Sequence, residues 1–449
     1  MRLKINRIIA IQNHGPSGST LMHSLLDDHP NIMSLPWLYG LPLYYIWDEN
    51  LKDKKITFDF LKEIIITKFG VLFDPNLENG DPSLSHMGEE ENVVIKVDKE
   101  EFFKNLKEYF DSSNDFIRKD FIISIYQCFN KAYKKEFNDE CHLCFPIHDQ
   151  PKKHALYLKE DFDQLRFIHM VRSPVQTIGS IIKHINHNQQ KFSLFKSMLF
   201  CAISNIILER REHWEEDSVK LYGKTPYIED CHNIKSRYVR LEDVHLDNKK
   251  TMQKVCSFLG IDHFESLSKS TFMGFTWHNR AESVKSSGIG KNTISQKHSI
   301  FLSAFDKYRL KLLCKNEFIY FGYGKFGIID TFILIILPIL IFFPFNCDIS
   351  PKREFYRFKA MLKMFSNDKQ PIIEWIFFDS VVNTLPGAEL IKMRKINNNN
   401  YIAATSLIVS FPIYILRVIM NYINLRVVML NIWLMILLRK TKPIKILSC

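Results

Sequence analysis

Short apolar, β-branched runs alternate with helical patterns along the first part of the chain. Four such runs predict buried strands: RIIAIQ at 7–12, CHLCFPIH at 141–148, RFIHMV at 166–171 and RYVRL at 237–241. Strands that alternate with helices are typical of a parallel sheet. We therefore expect an α/β fold, a parallel sheet flanked by helices.

Helical patterns follow the predicted strands and also form an insertion between the first two of them. LMHSLLDD begins at Leu21, and NKKTMQKVCSFLG ends at Gly260 after an acidic turn. Ser173 and Pro174 are a natural N-cap and first helical residue for a further helix. Residues 49–135 are charged and mostly helical, and we expect them to cap the sheet. On this pattern we assign residues 1–325 to one domain, large enough to be an enzyme domain.

The remaining part, 326–449, is expected to be an apolar helical tail. A 15-residue apolar run, Thr331 to Phe345, is broken by prolines and is too short to cross a bilayer as a helix. A second apolar region, 401–438, has its Ser and Asn residues and Arg417 along one narrow stripe. This pattern favours a helix lying in the plane of a membrane interface. A helix covering a soluble core is the alternative, and a transmembrane span comes third.

The charge is concentrated in this tail. The chain has 60 basic and 49 acidic residues, a net charge of +11, and nine basic but no acidic residues follow Glu389. Basic residues interleaved with apolar runs point to an anionic membrane surface as the partner, and not to nucleic acid. No cleavage site follows the N-terminal apolar stretch, and the nine cysteines are scattered. We therefore expect the cytoplasmic face of a membrane, in a bacterium.

A single CxxC, Cys141 and Cys144, falls in a predicted strand. Residues three apart on a strand point to opposite faces, which suits neither a zinc site nor a redox pair. We expect two buried thiols there, and no metal in the protein.

A glycine- and hydroxyl-rich loop joins the first strand to the first helix. Its members are Gly15, Pro16, Ser17, Gly18, Ser19 and Thr20. Glycine allows close approach of a phosphate, and successive N–H groups at a helix N-terminus form an anion nest. The Walker A loop of phosphate-binding proteins needs a lysine where Ser19 stands. The loop therefore predicts an anion site of another type, with a capped turn as the alternative.

A second loop follows the strand at 166–171. Arg172 ends that strand, and Ser180 lies two turns into the next helix. A guanidinium is a bidentate phosphate ligand, and a hydroxyl can complete such a site. The alternative is an arginine that caps the sheet edge through a salt bridge.

Together the two loops resemble the sulfotransferases that use 3′-phosphoadenosine 5′-phosphosulfate. PSGST after the first strand and R-S-P-x₅-S at 172–180 match that family's two nucleotide motifs in order. Segments 25–36 and 237–261 are similar to later family segments, and the likeness extends over about 1–325. The resemblance implies a P-loop-like sheet, a first loop on the 5′-phosphosulfate, and Arg172 and Ser180 on the 3′-phosphate. SVKSSGIGKN at 283–292 resembles the family's nucleotide loop, which implies a donor contact for Lys285.

One departure concerns the cation that the family places immediately before the serine of the first loop. This chain has Pro16 there. Lys152, Lys153, His14 or the amides of the loop are candidates to replace that cation, and the sequence does not choose among them.

Transfer to a hydroxyl also needs a base, which the family supplies as a histidine near a strand end. His148, 24 residues before Arg172, is favoured over His154 because a strand end presents it at the sheet's carboxyl edge.

The leading hypothesis is therefore a sulfotransferase acting on a hydroxyl-bearing acceptor, with a glycan or lipid-linked saccharide favoured by the membrane-facing tail. Two rivals remain open: a non-catalytic, membrane-associated nucleotide-binding protein, and a P-loop kinase-like phosphotransferase.

Overall fold

A computed structural model describes residues 3–13, 17–36, 40–77, 82–137, 140–148, 158–187, 234–278, 289 and 302–335. Contacts divide the chain into two units. The first consists of Met1–Val171, Tyr222–Ile294 and Lys445–Cys449, and the second consists of Arg172–Leu221 and Ser295–Ile444.

The first unit is built on a parallel sheet. Five strands pair within the described residues, in the order β2-β3-β1-β4-β5. Their bounds are β1 Lys4–Asn13, β2 Ile32–Ser34, β3 Glu140–His148, β4 Leu165–Val171 and β5 Ile234–Arg240. All four pairings are parallel. The predicted parallel α/β sheet is confirmed, and the short β2 is an addition to it.

The central strand explains why the apolar runs form this sheet. Residues 8–11 of β1 are fully buried, because helices and loops cover both faces of a parallel sheet. At the end of β1, Asn13 pairs with His148 of β3 and with Met170 of β4. The carboxyl ends of three neighbouring strands therefore lie side by side.

Three helices lie close to the sheet. Helix α1, Ser19–Leu26, packs on β1 and β3. Where an acidic turn was expected after β5, a short helix forms at Leu241–Leu246, since Glu242 and Asp243 in its first turn complement the helix dipole. The next helix, Asn248–Leu259, ends as predicted at Gly260, which has the left-handed φ of 68°.

The insertion between β2 and β3 is helical, with the bounds α2 Gly40–Ile46, α3 Phe58–Lys68, α4 Lys99–Asp111 and α5 Arg118–Ala132. A π-helical turn, Trp47–Leu51, follows α2. Aromatic side chains join these elements, with Trp47 and Phe121 centroids 5.8 Å apart. The helix between β4 and β5, Pro174–His187, is α6. The two helices after β5, Leu241–Leu246 and Asn248–Leu259, are α7 and α8.

Residues 270–278 add a small hairpin, with β6 Thr271–Phe272 and β7 Phe275–Thr276. In the second unit, α6 contacts α9, Ala304–Leu313. Helix α10, Lys315–Tyr320, and helix α11, Ile328–Ile335, follow. Among the described residues, no helix is long and apolar enough to cross a membrane. The tail predicted for 401–438 lies outside the described residues.

Candidate active site

The first loop forces an unusual backbone at Gly18, the N-cap position of α1. Gly18 has φ 94° and ψ 23°, a left-handed conformation that favours glycine. A Cβ at this position would lie 2.4 Å from Cδ1 of Leu241, the first residue of α7. Glycine is therefore required here both by the backbone angle and by the close approach of a side chain.

The hydroxyl of Ser17 is the most informative atom of this loop. Ser17 is only 2% exposed, and its Oγ has no hydrogen-bond partner in the structure. The first hydrogen bond of helix α1 runs from Met22 N to Gly18 O at 3.0 Å, so the amides that precede Met22 in the first turn have no acceptor within the helix. An unpartnered buried hydroxyl beside free amides at a helix N-terminus suits an anionic oxygen. Gly15, Pro16 and His14 lie outside the described residues, whereas Ser19 and Thr20 open α1.

Gln12, just before this loop, was missed from the sequence. Its side chain is fully buried, and neither its Oε1 nor its Nε2 has a hydrogen-bond partner. It lies level with Ile147 of β3 and His169 of β4. The sequence feature that could have identified Gln12 is a glutamine at the end of an otherwise apolar strand. Its unpaired amide is well placed to hold the loop or a ligand, because buried polar groups are normally bonded.

The predicted base, His148, ends β3 as expected. Its backbone pairs in register with Asn13, the last residue of β1, so it lies at the carboxyl edge of the sheet. The side chain of His148 is outside the description, as are His154, Lys152, Lys153 and Lys285. The preference for His148 over His154, and the role of Lys285, stay predictions.

Arg172 and Ser180 belong to the second unit, whereas Ser17 to Thr20 belong to the first. Helix α6 begins at Pro174, and Thr177 N donates to Ser173 O at 2.9 Å, as the sequence predicted for this helix start. Both Arg172 and Ser180 are half-buried. In the sequence, Arg172 is the residue directly after β4, and β4 is the strand that neighbours β1.

Helix α1 also fixes the hairpin that leads toward the predicted loop at 283–292. Asp27 is fully buried; its Oδ1 accepts from Ser34 Oγ and its Oδ2 accepts from Met273 N at 2.7 Å. Burial raises the pKa of the Asp27 carboxyl. Ser24 Oγ lies 2.6 Å from Ser270 Oγ. The sequence did not show this clamp, because it joins positions about 246 residues apart.

His23 completes the contact between α1 and the hairpin. Its ring meets Phe272 edge-on, with centroids 5.3 Å apart. Burial lowers the pKa of His23 to about 3, so the imidazole is neutral at pH 7. Its Nε2 has no hydrogen-bond partner. His23 is therefore a packed, neutral residue of the hairpin contact.

The CxxC pair does not form a metal site. Cys141 and Cys144 are buried on β3 and form no disulfide, and burial raises the pKa of the Cys144 thiol. Within the described ranges, no group of His, Cys, Asp and Glu could hold a metal ion.

Residues 99–266 match the model of a protein family described as the sulfotransferase family. No curated protein matches the chain. Two solved structures are similar to it. The sulfotransferase domain from the Synechococcus PCC 7002 olefin synthase shows 18% identity and a TM-score of 0.32, over 72% of this chain and 97% of that one. Sulfotransferase STF9 from Mycobacterium avium shows 12% identity and a TM-score of 0.30, over 59% and 66%.

The family match begins at α4 and ends after α8. It includes His148, Arg172 and Ser180, whereas the first loop and Lys285 lie outside it. The sulfotransferase resemblance is confirmed over residues 99–266, which include the second loop.

Proposed function

We propose that this chain, a sulfotransferase by its family match over residues 99–266, moves the sulfuryl group of 3′-phosphoadenosine 5′-phosphosulfate to a hydroxyl of a glycan or lipid-linked saccharide. That donor is the one the family generally uses. The observation that carries the donor site is the Ser17 hydroxyl, buried and unpartnered at the N-terminus of α1. A phosphosulfate supplies the anionic oxygen that this hydroxyl and the amides of α1 lack.

The reaction is an in-line displacement at sulfur. The acceptor oxygen forms a bond to sulfur, and the bond between sulfur and the 5′-phosphate oxygen breaks. The products are a sulfate ester and adenosine 3′,5′-bisphosphate, and the acceptor's proton passes to a base. Negative charge grows on the departing phosphate, where the positive end of α1 and the Ser17 hydroxyl stabilise it.

The base in this proposal is His148. Its backbone lies beside Asn13, at the end of the strand that leads into the first loop. Active sites of open α/β sheets lie outside the carboxyl ends of the strands. A neutral imidazole at this edge can accept the proton of the acceptor hydroxyl.

Arg172 and Ser180 hold the 3′-phosphate in this proposal. Arg172 follows β4 by one residue, and Ser180 lies on α6. A guanidinium and a hydroxyl together satisfy several oxygens of a phosphate. Lys285 supplies a further cation from the loop after the hairpin that Asp27 fixes.

The acceptor is assigned to a membrane because of the tail and of α11. Ile328, Ile329 and Phe332 of α11 are 77%, 72% and 66% exposed, and Phe332 lies within the apolar run Thr331 to Phe345. Exposed apolar side chains next to a basic tail favour an anionic bilayer surface. The proposed location is the cytoplasmic face of a bacterial membrane, with the chain bound as a peripheral or monotopic protein.

Vesicle sedimentation tests this location. The full chain should pellet with anionic vesicles at low salt and pellet less at high salt, because surface charges are screened. An Ile328→Ser, Phe332→Ser double variant should pellet less than a Phe275→Ser control, which changes an exposed aromatic of the first unit. A full chain that stays in the supernatant at low salt would contradict the membrane proposal.

The acceptor is tested with sulfur-labelled donor. The full chain is incubated with that donor and with fractionated membrane lipids and glycans, and an Arg172→Ala variant serves as the control. Label should enter a hydroxylated lipid-linked or glycan fraction with the parent only. Label confined to a soluble sugar or a peptide tyrosine would contradict the proposed acceptor while leaving the sulfotransferase intact.

A further inference from the structure

A cavity lies at the opposite end of the sheet from the first loop. It has a volume of about 610 Å³ and is lined by the amino ends of β1 and β3 and by residues 162–164 and 260–262. All of its lining belongs to the first unit. The residues of β1 that follow Arg7, 8–13, separate it from the first loop by about 20 Å. The sulfuryl-transfer chemistry makes no use of it.

An irregularity of β1 places two cations on the same face at this cavity. The pairing of β1 with β3 shifts between Ile5 and Arg7, so that Lys4 pairs with Glu140 and Arg7 pairs with His142. In a regular strand, residues three apart point to opposite faces. The extra residue restores a common face for Lys4 and Arg7, and both line the cavity. β-bulges often redirect side chains in this way beside binding sites.

Arg7 is held in place while part of its hydrogen-bonding capacity stays open. One Nη1 bond goes to Leu259 O, and Nε and Nη2 donate to Gln164 Oε1 at 3.4 and 3.3 Å. A guanidinium has five N–H donors, so these three bonds leave two of them for a ligand. The guanidinium is thus oriented before any ligand arrives.

His142, the register partner of Arg7, adds a polar group to the wall. It is 7% exposed, and its Nδ1 has no hydrogen-bond partner. Burial, together with the nearby Arg7, lowers the pKa of His142 to about 4. The ring is therefore neutral at pH 7 and adds no charge to the cavity.

The charges of the wall suit a single negative charge on the ligand. Three cations, Lys4, Arg7 and Lys119, face two carboxylates, Asp163 and Asp262. Among the described residues, these five side chains form no ion pair with one another. Lys119 instead stands over the Phe162 ring at 5.2 Å. The sum of +3 and −2 leaves +1, which a monoanion neutralises.

We propose that this cavity binds a small, hydroxylated organic monoanion, either a carboxylate or a sulfate monoester. Its anionic group meets Arg7 and Lys4. Its hydroxyls donate hydrogen bonds to the carboxylates of Asp163 and Asp262. These hydrogen bonds offset the repulsion between the two carboxylates and the anionic group of the ligand. A phosphate monoester, largely a dianion at pH 7, fits the balance less well, and a neutral sugar lacks the group that the cations need.

Calorimetric titration of the full chain tests the site with glucuronate, glucose 6-sulfate, glucose 6-phosphate and glucose. One of the two monoanions should bind at least about tenfold more tightly than glucose and more tightly than the phosphate. The sulfate and carboxylate arms decide which anion is preferred. No heat of binding for either monoanion up to about 10 mM would overturn the proposal, as would equal binding of glucose.

Variants locate the binding. Lys4→Gln should weaken the preferred monoanion about fivefold, as removal of one partly screened charge does. Lys104→Gln, on the exposed face of α4 outside the cavity, is the matched control and should have no effect. Arg7→Gln should abolish binding, with thermal unfolding measured alongside to show that the variant folds. Unchanged binding in a folded Arg7→Gln protein would overturn the assignment.

Binding of adenosine 3′,5′-bisphosphate is measured in the same variants. It should be unchanged by Lys4→Gln, since the first loop is at the other end of β1. A chain that binds the monoanion but not the nucleotide would support this site and contradict the proposed donor, so the two proposals fail separately.

Discussion

Replacement of Gly18 by alanine tests how the first loop is built. The backbone at φ 94° costs a residue with a Cβ about 1–2 kcal/mol. The new Cβ would also lie 2.4 Å from Leu241 Cδ1, against an ordinary carbon contact of about 3.5–4.0 Å. Displacement of a packed leucine by an inserted methyl costs about a further 1–3 kcal/mol. We therefore expect Gly18→Ala to lower the free energy of unfolding by about 2–5 kcal/mol.

Gly274→Ala is the matched control. Gly274 has φ 77°, and a Cβ there meets nothing within 4 Å, so only the backbone cost of about 1–2 kcal/mol applies. Urea denaturation of both variants separates the contact with Leu241 from the backbone strain. Calorimetry with adenosine 3′,5′-bisphosphate should show weaker binding for Gly18→Ala only, because only that change disturbs the amides of α1.

The contact can be relieved in a double variant. Valine at position 241 has no δ carbons, so Gly18→Ala with Leu241→Val should lose less stability than the sum of the two single changes. Leu241→Val alone costs about 1 kcal/mol for its lost methylene. The reasoning would be refuted if Gly18→Ala were no more destabilising than Gly274→Ala and left nucleotide binding unchanged.

Three further predictions follow from the site. Arg172→Ala should weaken the binding of adenosine 3′,5′-bisphosphate by about 1.5–3 kcal/mol in calorimetry, which is the usual contribution of a charge-assisted hydrogen bond. Unchanged affinity would remove Arg172 from the site. His148→Ala should lower kcat about 10²–10⁴-fold with nucleotide affinity nearly intact, and His154→Ala should lower it far less; the reverse ranking would identify His154 as the base. Since burial lowers the pKa of His23 to about 3, the unfolded chain binds the extra proton first as pH falls. The parent should therefore lose stability relative to His23→Gln as the pH falls from about 6.5 to about 4, and parallel pH profiles would contradict this.

The strands of the sheet were predictable because they are buried on both faces. Such strands are continuous apolar runs, and all four predicted ones agree with β1, β3, β4 and β5 within three residues at either end. β1 and β5 each begin three residues earlier than predicted, at Lys4 and Ile234, because their first residues include polar ones that do not belong to the apolar runs. β2 has only three residues, too few for a periodic pattern, and it forms because Ile32 to Ser34 pair with the middle of β3.

The site was predictable where chemistry and local conformation coincide. The glycine and hydroxyls of the first loop and the start of α6 at Pro174 belong to this class. Gln12, Asp27 and His142 were not predictable, since their importance arises from burial and from partners distant in sequence. Asp27 clamps a hairpin that begins at Thr271, and His142 faces Arg7 only because β1 is bulged.

The choice of donor tests the central claim most directly. The full chain is incubated with a mixture of hydroxyl acceptors and either sulfur-labelled 3′-phosphoadenosine 5′-phosphosulfate or γ-phosphorus-labelled ATP. We predict label transfer from the phosphosulfate only, with release of adenosine 3′,5′-bisphosphate and loss of transfer in Arg172→Ala. Phosphoryl transfer from ATP would contradict the account in favour of a kinase, and nucleotide binding without transfer from either donor would contradict it in favour of a non-catalytic nucleotide-binding protein.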